Sequence, residues 1–181
     1  LTKLIKVRQL LSYDKLPHTI EIAEEMIEND QKVIIFTCFS NTVKELMAHF
    51  GSKAVVVDGS TSKEKRQYAV DQFQNNEKTK VFIGNIVAAG VGLTLTKGSV
   101  VIFNDLDWTP ANHMQAEDRA HRIGQTSQVH IVYPLFVDTL DIHMYKTLQK
   151  KMKVISQIMG DGIIEEDEIS VGKEVISNLR R

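Results

Sequence analysis

Short apolar segments of strand length alternate along this chain with segments of helical periodicity, and this alternation restricts the chain to few folds. Five segments are predicted to be strands: Val33–Phe36, Ala54–Val57, Val81–Ile83, Val100–Phe103 and Val129–Val137. The first four are apolar at every position, which is typical of parallel strands that are buried on both faces. The sequence therefore predicts an α/β fold, with a parallel sheet and helices on both of its faces.

The intervals between these strands carry apolar residues at helical spacing. Pro17 marks a helix start, so the first two helices are predicted to be separate. Ser62 is the predicted N-cap of its helix, with Lys65 three residues later. The predicted helices are Leu1–Ser12, Thr19–Glu28, Asn41–Phe50, Ser62–Phe73, Pro110–Arg122 and Leu140–Met159.

Length and composition exclude several classes of protein. The 181 residues suit one domain with a tail, and 43% hydrophobic with 25% charged residues excludes general disorder. The sequence has no apolar run long enough for a membrane helix, no signal-peptide pattern and one cysteine, so we expect an intracellular protein without disulfides. Because the chain lacks an initiator methionine, we expect it to be part of a longer protein. The net charge of −1 means that any nucleic-acid binding must use local patches.

The sequence contains no complete catalytic apparatus of its own. It lacks the G-x-x-x-x-G-K-[ST] phosphate loop, an acidic motif for magnesium, metal-type histidine spacing and a G-x-S-x-G nucleophile elbow. Any reaction on a nucleotide would therefore need a second domain.

The strongest functional signal is the string from Gln115 to Gln125, Q-A-E-D-R-A-H-R-I-G-Q. On the predicted helix, Arg119 and Arg122 are three residues apart and would lie on one face. Two planar guanidinium groups on one face suit the oxygens of a triphosphate. The alternative from these residues alone is a solvated helix face.

This string resembles motif VI of the helicase superfamily that includes the Swi/Snf-type DNA translocases. Further strings resemble the family's motifs in the family's order, over about residues 14 to 150. They are Val33–Thr37 (motif IV), Asp58–Thr61 with Arg66, Ala88–Leu95 (motif V) and Asp107–Pro110 (D-W-N-P, here D-W-T-P).

The resemblance implies the second of two RecA-like lobes, with a C-terminal helical extension. It divides the chain into a connecting helix (1–13), the lobe (14–138), a brace helix (139–160) and an acidic tail with a short helix (161–181). Partners would be the N-terminal RecA-like lobe and double-stranded DNA, with no membrane. The cofactor would be ATP with magnesium held by the first lobe, so the isolated chain is expected to be inactive.

The resemblance also implies roles for single residues. Arg122 would be the arginine finger on the γ-phosphate, and Arg119 would contact phosphates or organise the cleft. Gln115 and Gly92 are further nucleotide-binding candidates, although Gln115 could have a plain helix-capping role instead. No residue of this chain is predicted to bind a metal.

DNA-binding candidates are small polar residues and glycines after the strands, together with the only tryptophan. Backbone amides of the Gly90–Gly92 loop can approach a ligand closely, or the loop can be a plain tight turn. Trp108 is either a core residue or a groove contact, and Asp105–Asp107 has a weaker alternative as the D-x-D of nucleotide-sugar transferases. The candidates are Thr37, Ser60, Thr61, Asn85, Gly90, Thr94 and Trp108.

Departures from the family pattern, such as Val87, Ala89 and Thr109, are more similar to the annealing-helicase branch than to nucleosome remodellers. Two other functions stay open. One is a non-catalytic lobe that binds DNA or protein, and the other is the C-terminal lobe of an RNA helicase. The expected location is the cytoplasm or nucleoid of a bacterium, or the nucleus of a eukaryote.

Overall fold

The structure, a computed structural model, describes residues 2–88 and 92–159. The helices are α1 (Thr2–Glu28), α2 (Ser40–Phe50), α3 (Lys63–Asn75), α4 (Pro110–Glu117) and α5 (Leu140–Met159), with a 3₁₀ turn at Gly51–Lys53. The strands are β1 (Lys32–Thr37), β2 (Ala54–Val57), β3 (Val81–Asn85), β4 (Gly98–Phe103) and β5 (His130–Val132).

The strands form one parallel sheet in the order β2-β3-β1-β4-β5. The central strand β1 pairs Val33 with Val81 of β3 and with Val100 of β4. Because all strands are parallel, their carboxyl ends meet at one edge, where loops after several strands come together. The predicted α/β fold is confirmed.

Alternate side chains of the strands fill two separate cores. Ile34, Phe36 and Phe103 lie in the core beneath α3 and α4. Val33 and Ile35 lie in the core beneath α1 and α2. Each fully buried large apolar side chain contributes about 1.5–3 kcal/mol, so the two faces together hold the sheet in place.

The prediction of two N-terminal helices was wrong, because α1 runs unbroken from Thr2 to Glu28 with Pro17 inside it. Proline removes one helical hydrogen bond and disfavours the interior of a helix. Here the helix is fixed to the domain on both sides of the exposed Pro17: Lys15 pairs with Asp141 at 3.0 Å, and the Thr19 hydroxyl donates to Asn104 Oδ1 at 2.7 Å. These tertiary contacts outweigh the local penalty.

Two further boundaries differ from the prediction by more than two residues. Helix α4 ends at Glu117 rather than Arg122, because the Arg119 carbonyl accepts a hydrogen bond from Leu95 N at 2.9 Å and the backbone turns away. Strand β5 covers His130–Val132 only, since Pro134 cannot donate to a strand ladder. Helix α5 has the predicted bounds.

The predicted acidic tail, 161–181, lies outside the described residues, and the division into connecting helix, lobe, brace and tail stays a prediction. In the part of the chain that the structure describes, no helix is both long and apolar enough to cross a membrane.

Candidate functional site

Arg119 and Arg122 lie in the turn after α4, not on the helix, yet their guanidinium groups converge. Nη1 of both residues donates to the Leu93 carbonyl, at 3.5 Å from Arg119 and 3.3 Å from Arg122. Arg122 Nη1 also donates to Thr94 Oγ1 at 2.9 Å, and Arg119 Nε donates to the Gln115 carbonyl at 2.9 Å. The predicted pairing of the two cations on one surface holds, although turn geometry rather than helical spacing produces it.

The other nucleotide-binding candidates lie around this pair. Gly92 is exposed and has a φ of +70°, a conformation that favours glycine. Gln115 is exposed near the end of α4, and Thr94 sits beside Arg122 although it was predicted to contact DNA. Gly90 lies outside the described residues.

At the carboxyl edge of the sheet, Thr37 is fully buried and its hydroxyl donates to Asp105 Oδ2. The same carboxylate oxygen accepts from Cys38 N at 3.0 Å. Thr37 was predicted to contact DNA, but in this conformation its side chain holds the loop after β4 instead.

The loop after β2 is organised by Asp58. Its Oδ1 accepts from the Ser60 and Thr61 hydroxyls at 2.7 and 2.9 Å and from Ser60 N at 2.9 Å. These hydrogen bonds lower the pKa of Asp58, so it stays ionised. Arg66 donates to the carbonyls of Thr61, Asp58 and Ala88, which fixes this loop to the one after β3.

Asn85 and Trp108 lie at the same edge. Asn85 Nδ2 donates to the Cys38 carbonyl at 3.3 Å, and its Oδ1 accepts from Val87 N at 3.1 Å. Trp108 is 37% exposed, so the interpretation as a core residue was wrong. Its ring lies 5.7 Å from the Arg8 guanidinium carbon, and its carbonyl accepts from Lys151 Nζ at 2.7 Å.

The sequence interpretation missed a buried polar network that ties α1 to this edge. Asn104 Nδ2 donates to the carbonyl and hydroxyl oxygens of Ser12, both at 3.1 Å, and the Ser12 hydroxyl lies 2.6 Å from Thr42 Oγ1. One signal was available: Ser12 and Thr19 are seven residues apart, so these polar residues share the buried face of a helix.

The residues thus separate into two groups. The nucleotide group comprises Gly92 to Thr94 and the turn that carries Arg119 and Arg122, called the arginine turn below. It presents guanidinium donors that suit an anion with several oxygens. The edge group comprises the Asp58 loop, Asn85 and Trp108. Within residues 2–88 and 92–159, no cluster of three or more His, Cys, Asp or Glu residues could hold a metal ion.

Comparison with known proteins decides the family. The model of the helicase conserved C-terminal domain matches residues 14–124. The chain belongs to this family. Strands β1 to β4 and the named residues of both site groups lie inside the matched residues.

Relatives of this helicase C-terminal domain are of the Swi/Snf type. A protein of Xenopus tropicalis, "SWI/SNF-related matrix-associated actin-dependent regulator of chromatin subfamily A-like protein 1", is 36% identical over 147 residues, which are 79% of this chain and 16% of the relative. The human "DNA annealing helicase and endonuclease ZRANB3" is 41% identical over 133 residues, 71% of this chain and 12% of the relative. The chain therefore corresponds to a small part of each relative.

Among solved structures, the Sulfolobus solfataricus SWI2/SNF2 ATPase core in complex with double-stranded DNA is similar, with a TM-score of 0.70 and 29% identity. The match covers 89% of this chain and 37% of that one. The RecA-like fold and the Swi/Snf-type resemblance predicted from the motifs are confirmed.

Proposed function

We propose that this chain is the second motor lobe of an ATP-dependent double-stranded-DNA translocase. The observation that carries the proposal is the convergence of Arg119 and Arg122 on the Leu93 carbonyl, on the surface next to Gly92. The Arg122 bonds use Nη1, and a guanidinium has five N–H donors, so the residue has further donors to offer an anion.

In this proposal, ATP lies between this lobe and an N-terminal RecA-like lobe that holds the magnesium ion. Negative charge builds on the phosphoryl oxygens during transfer, and a fixed guanidinium stabilises it. Arg122 serves as the arginine finger. Arg119, fixed to the Gln115 carbonyl, orients the turn and contributes positive charge, while Gly92 and Gln115 contact the nucleotide.

The edge group would contact the DNA backbone without reading its sequence. Ser60, Thr61 and Asn85 make internal hydrogen bonds, so they shape the loops that meet the phosphates and exchange partners when DNA binds. Trp108 is the exposed member with an N–H donor to offer. Gly90 and Thr94 remain proposed backbone contacts, and Thr37 acts by holding Asp105.

The deciding experiment uses the full two-lobe protein with Arg122→Ala. Removal of an arginine finger lowers turnover by about 10³–10⁵-fold in related phosphoryl-transfer enzymes, whereas duplex affinity should be largely retained. ATP turnover and DNA binding are measured in parallel. The matched control is Lys44→Ala, which removes an exposed cation from α2 on the opposite face of the sheet.

Turnover of the Arg122→Ala protein near the wild-type rate would overturn the arginine-finger role. Comparing duplex DNA, single-stranded DNA and RNA as activators separates the translocase from an RNA helicase. Absence of turnover with all three would favour a non-catalytic binding lobe. The isolated chain, without the first lobe, is expected to be inactive throughout.

The branch and the location follow from the same proposal. The 41% identity to the human annealing helicase supports the annealing-helicase branch. A DNA-dependent motor acts where DNA is, so we place the protein in the nucleoid of a bacterium or the nucleus of a eukaryote.

A further inference from the structure

A half-buried chain of hydrogen bonds runs beside α4, from the loop that carries Trp108 to the turn that carries the arginines. Asp107 N donates to His113 Nε2 at 3.0 Å, and the Asp107 carbonyl lies 3.2 Å from the same nitrogen. His113 Nδ1 lies 3.4 Å from Tyr133 Oη, and Tyr133 Oη donates to Glu117 Oε1 at 2.7 Å. Three side chains thus connect the two ends of a short helix.

The direction of these bonds is consistent along the chain. Because Nε2 accepts from a backbone amide, a neutral ring carries its proton on Nδ1, which faces the Tyr133 oxygen. Burial lowers the pKa of His113, which favours this neutral form. In this tautomer Tyr133 accepts from His113 and donates to Glu117, so its hydroxyl has a partner on each side.

Aromatic packing keeps this chain of hydrogen bonds rigid. The Tyr133 ring stacks on Phe103 of β4 with centroids 4.9 Å apart and an interplanar angle of 7°. His113 also lies against Phe103, with centroids 4.9 Å apart. The sheet therefore fixes the two rings, and a displacement at one end of the chain is transmitted rather than absorbed.

Each end of this chain of hydrogen bonds reaches one of the two site groups. Asp107 precedes Trp108, and its Oδ1 accepts from Thr109 N at 2.8 Å and Asn112 Nδ2 at 2.9 Å, which fixes the start of α4. At the other end, the Glu117 carbonyl accepts from Ala120 N and His121 N, both at 3.0 Å, and so begins the arginine turn.

We propose that His113, Tyr133 and Glu117 are positioning residues that couple the DNA-facing Trp108 loop to the nucleotide-facing arginine turn. The inference rests on the proposed function and adds the route by which DNA binding raises turnover. It assigns these residues no contact with ATP or DNA. Breaking this chain of hydrogen bonds should lower the stimulation of ATP turnover by DNA. Basal turnover and the affinities for ATP and DNA should stay nearly unchanged.

The test is Tyr133→Phe in the full two-lobe protein, which removes the hydroxyl and keeps the ring on Phe103. The ratio of turnover with saturating duplex DNA to turnover without DNA should fall about fivefold or more, with unchanged KM for ATP and unchanged Kd for duplex. The matched control is Tyr145→Phe, because that ring lies 6.2 Å from Tyr133 in the same aromatic group but outside the chain. Its ratio should stay at the wild-type value.

A second variant keeps the inference testable if Tyr133→Phe does not fold. His113→Gln keeps a group that can reach Asp107 and removes the contact with Tyr133, so its ratio should fall in the same way, while Glu117→Gln keeps an acceptor and should retain stimulation.

Equal falls in basal and stimulated rates would show a merely structural role and overturn the coupling. A wild-type ratio in a folded variant of His113 or Tyr133 would also overturn it, with the proposed function intact. A wild-type protein without stimulation by DNA would overturn both.

Discussion

At the scale of single residues, Cys38 shows how burial controls chemistry at the carboxyl edge of the sheet. Its thiol is largely enclosed, and Sγ lies 3.7 Å from the Leu106 carbonyl. Burial, with a smaller contribution from the Asp105 carboxylate, raises the pKa of Cys38 from 9.0 to about 12. Since the thiolate is the reactive form, the native thiol should be nearly inert at neutral pH.

We expect the native Cys38 thiol at pH 8 to react with a disulfide reagent about a thousandfold more slowly than the thiol in urea, because the thiolate fraction falls tenfold per unit of pKa. Above pH 9 the native rate should keep rising with pH, whereas the rate in urea levels off. The chain has one cysteine, so the coloured thiolate that the disulfide reagent releases reports the reaction of Cys38 alone. A native rate within a few-fold of the rate in urea would contradict the prediction.

Which residues lie close together was easier to predict than which contact each side chain makes. Arg119 and Arg122 converge as the motif indicated, because the spacing of the two cations survives the change from helix to turn. The contact of Thr37 was harder to predict, because a hydroxyl at a strand end can face a ligand or a neighbouring carboxylate, and only the position of Asp105, 68 residues away, reveals the hydrogen bond. Contacts between residues distant in sequence are what a single sequence does not contain.

At the scale of secondary-structure elements, a buried ion pair joins α1 to α5. Lys15 Nζ of α1 lies 3.0 Å from Asp141 Oδ2 of α5, with side-chain exposures of 1% and 7%. The same carboxylate oxygen accepts from Phe136 N at 3.3 Å, which fixes the approach to α5. Removing one partner of such a pair leaves a buried charge without compensation.

We expect Lys15→Met to lower the free energy of unfolding by about 3–5 kcal/mol, measured by urea denaturation of this chain. Lys15→Met with Asp141→Leu should recover part of the loss, because the lone buried charge is then gone. The control is Lys80→Met at the ion pair with Asp30, where Asp30 is 90% exposed. That variant should lose at most about 1 kcal/mol. Equal losses at the two sites would contradict the prediction.

The interiors of the helices and strands were predicted well, whereas most of their ends were not. Each of the first four apolar strings falls in a strand, and α5 matches at both ends, because burial on the sheet and helical periodicity are properties of the local sequence. The end of α4 depends on the bond from Leu95 N to the Arg119 carbonyl, and the continuity of α1 through Pro17 depends on Lys15 and Thr19. Those determinants are tertiary.

At the scale of the whole molecule, the net charge of −1 and the uncharged side chains proposed for the interface restrict how this lobe would bind DNA. The salt dependence of binding counts the phosphates that lysine and arginine neutralise, with a slope of roughly −0.9 per contact. In the proposed interface, Ser60, Thr61, Asn85 and Trp108 would contribute hydrogen bonds instead of charge. Their contacts should therefore strengthen binding equally at all salt concentrations.

We expect Trp108→Phe in the two-lobe protein to raise the Kd for duplex DNA by about tenfold or more, because one hydrogen bond to a charged group contributes about 1.5–3 kcal/mol. Phenylalanine keeps one aromatic ring beside Arg8 and removes the indole N–H together with the five-membered ring that carries it. Because that donor is neutral and meets the backbone, the slope of log Kd against log salt and the sequence preference should both stay unchanged. Ser52→Ala is the control, since it removes an exposed hydroxyl at the opposite edge of the sheet, before β2. A Trp108→Phe protein that binds like the control, or that loses affinity for one sequence only, would remove Trp108 from the backbone interface.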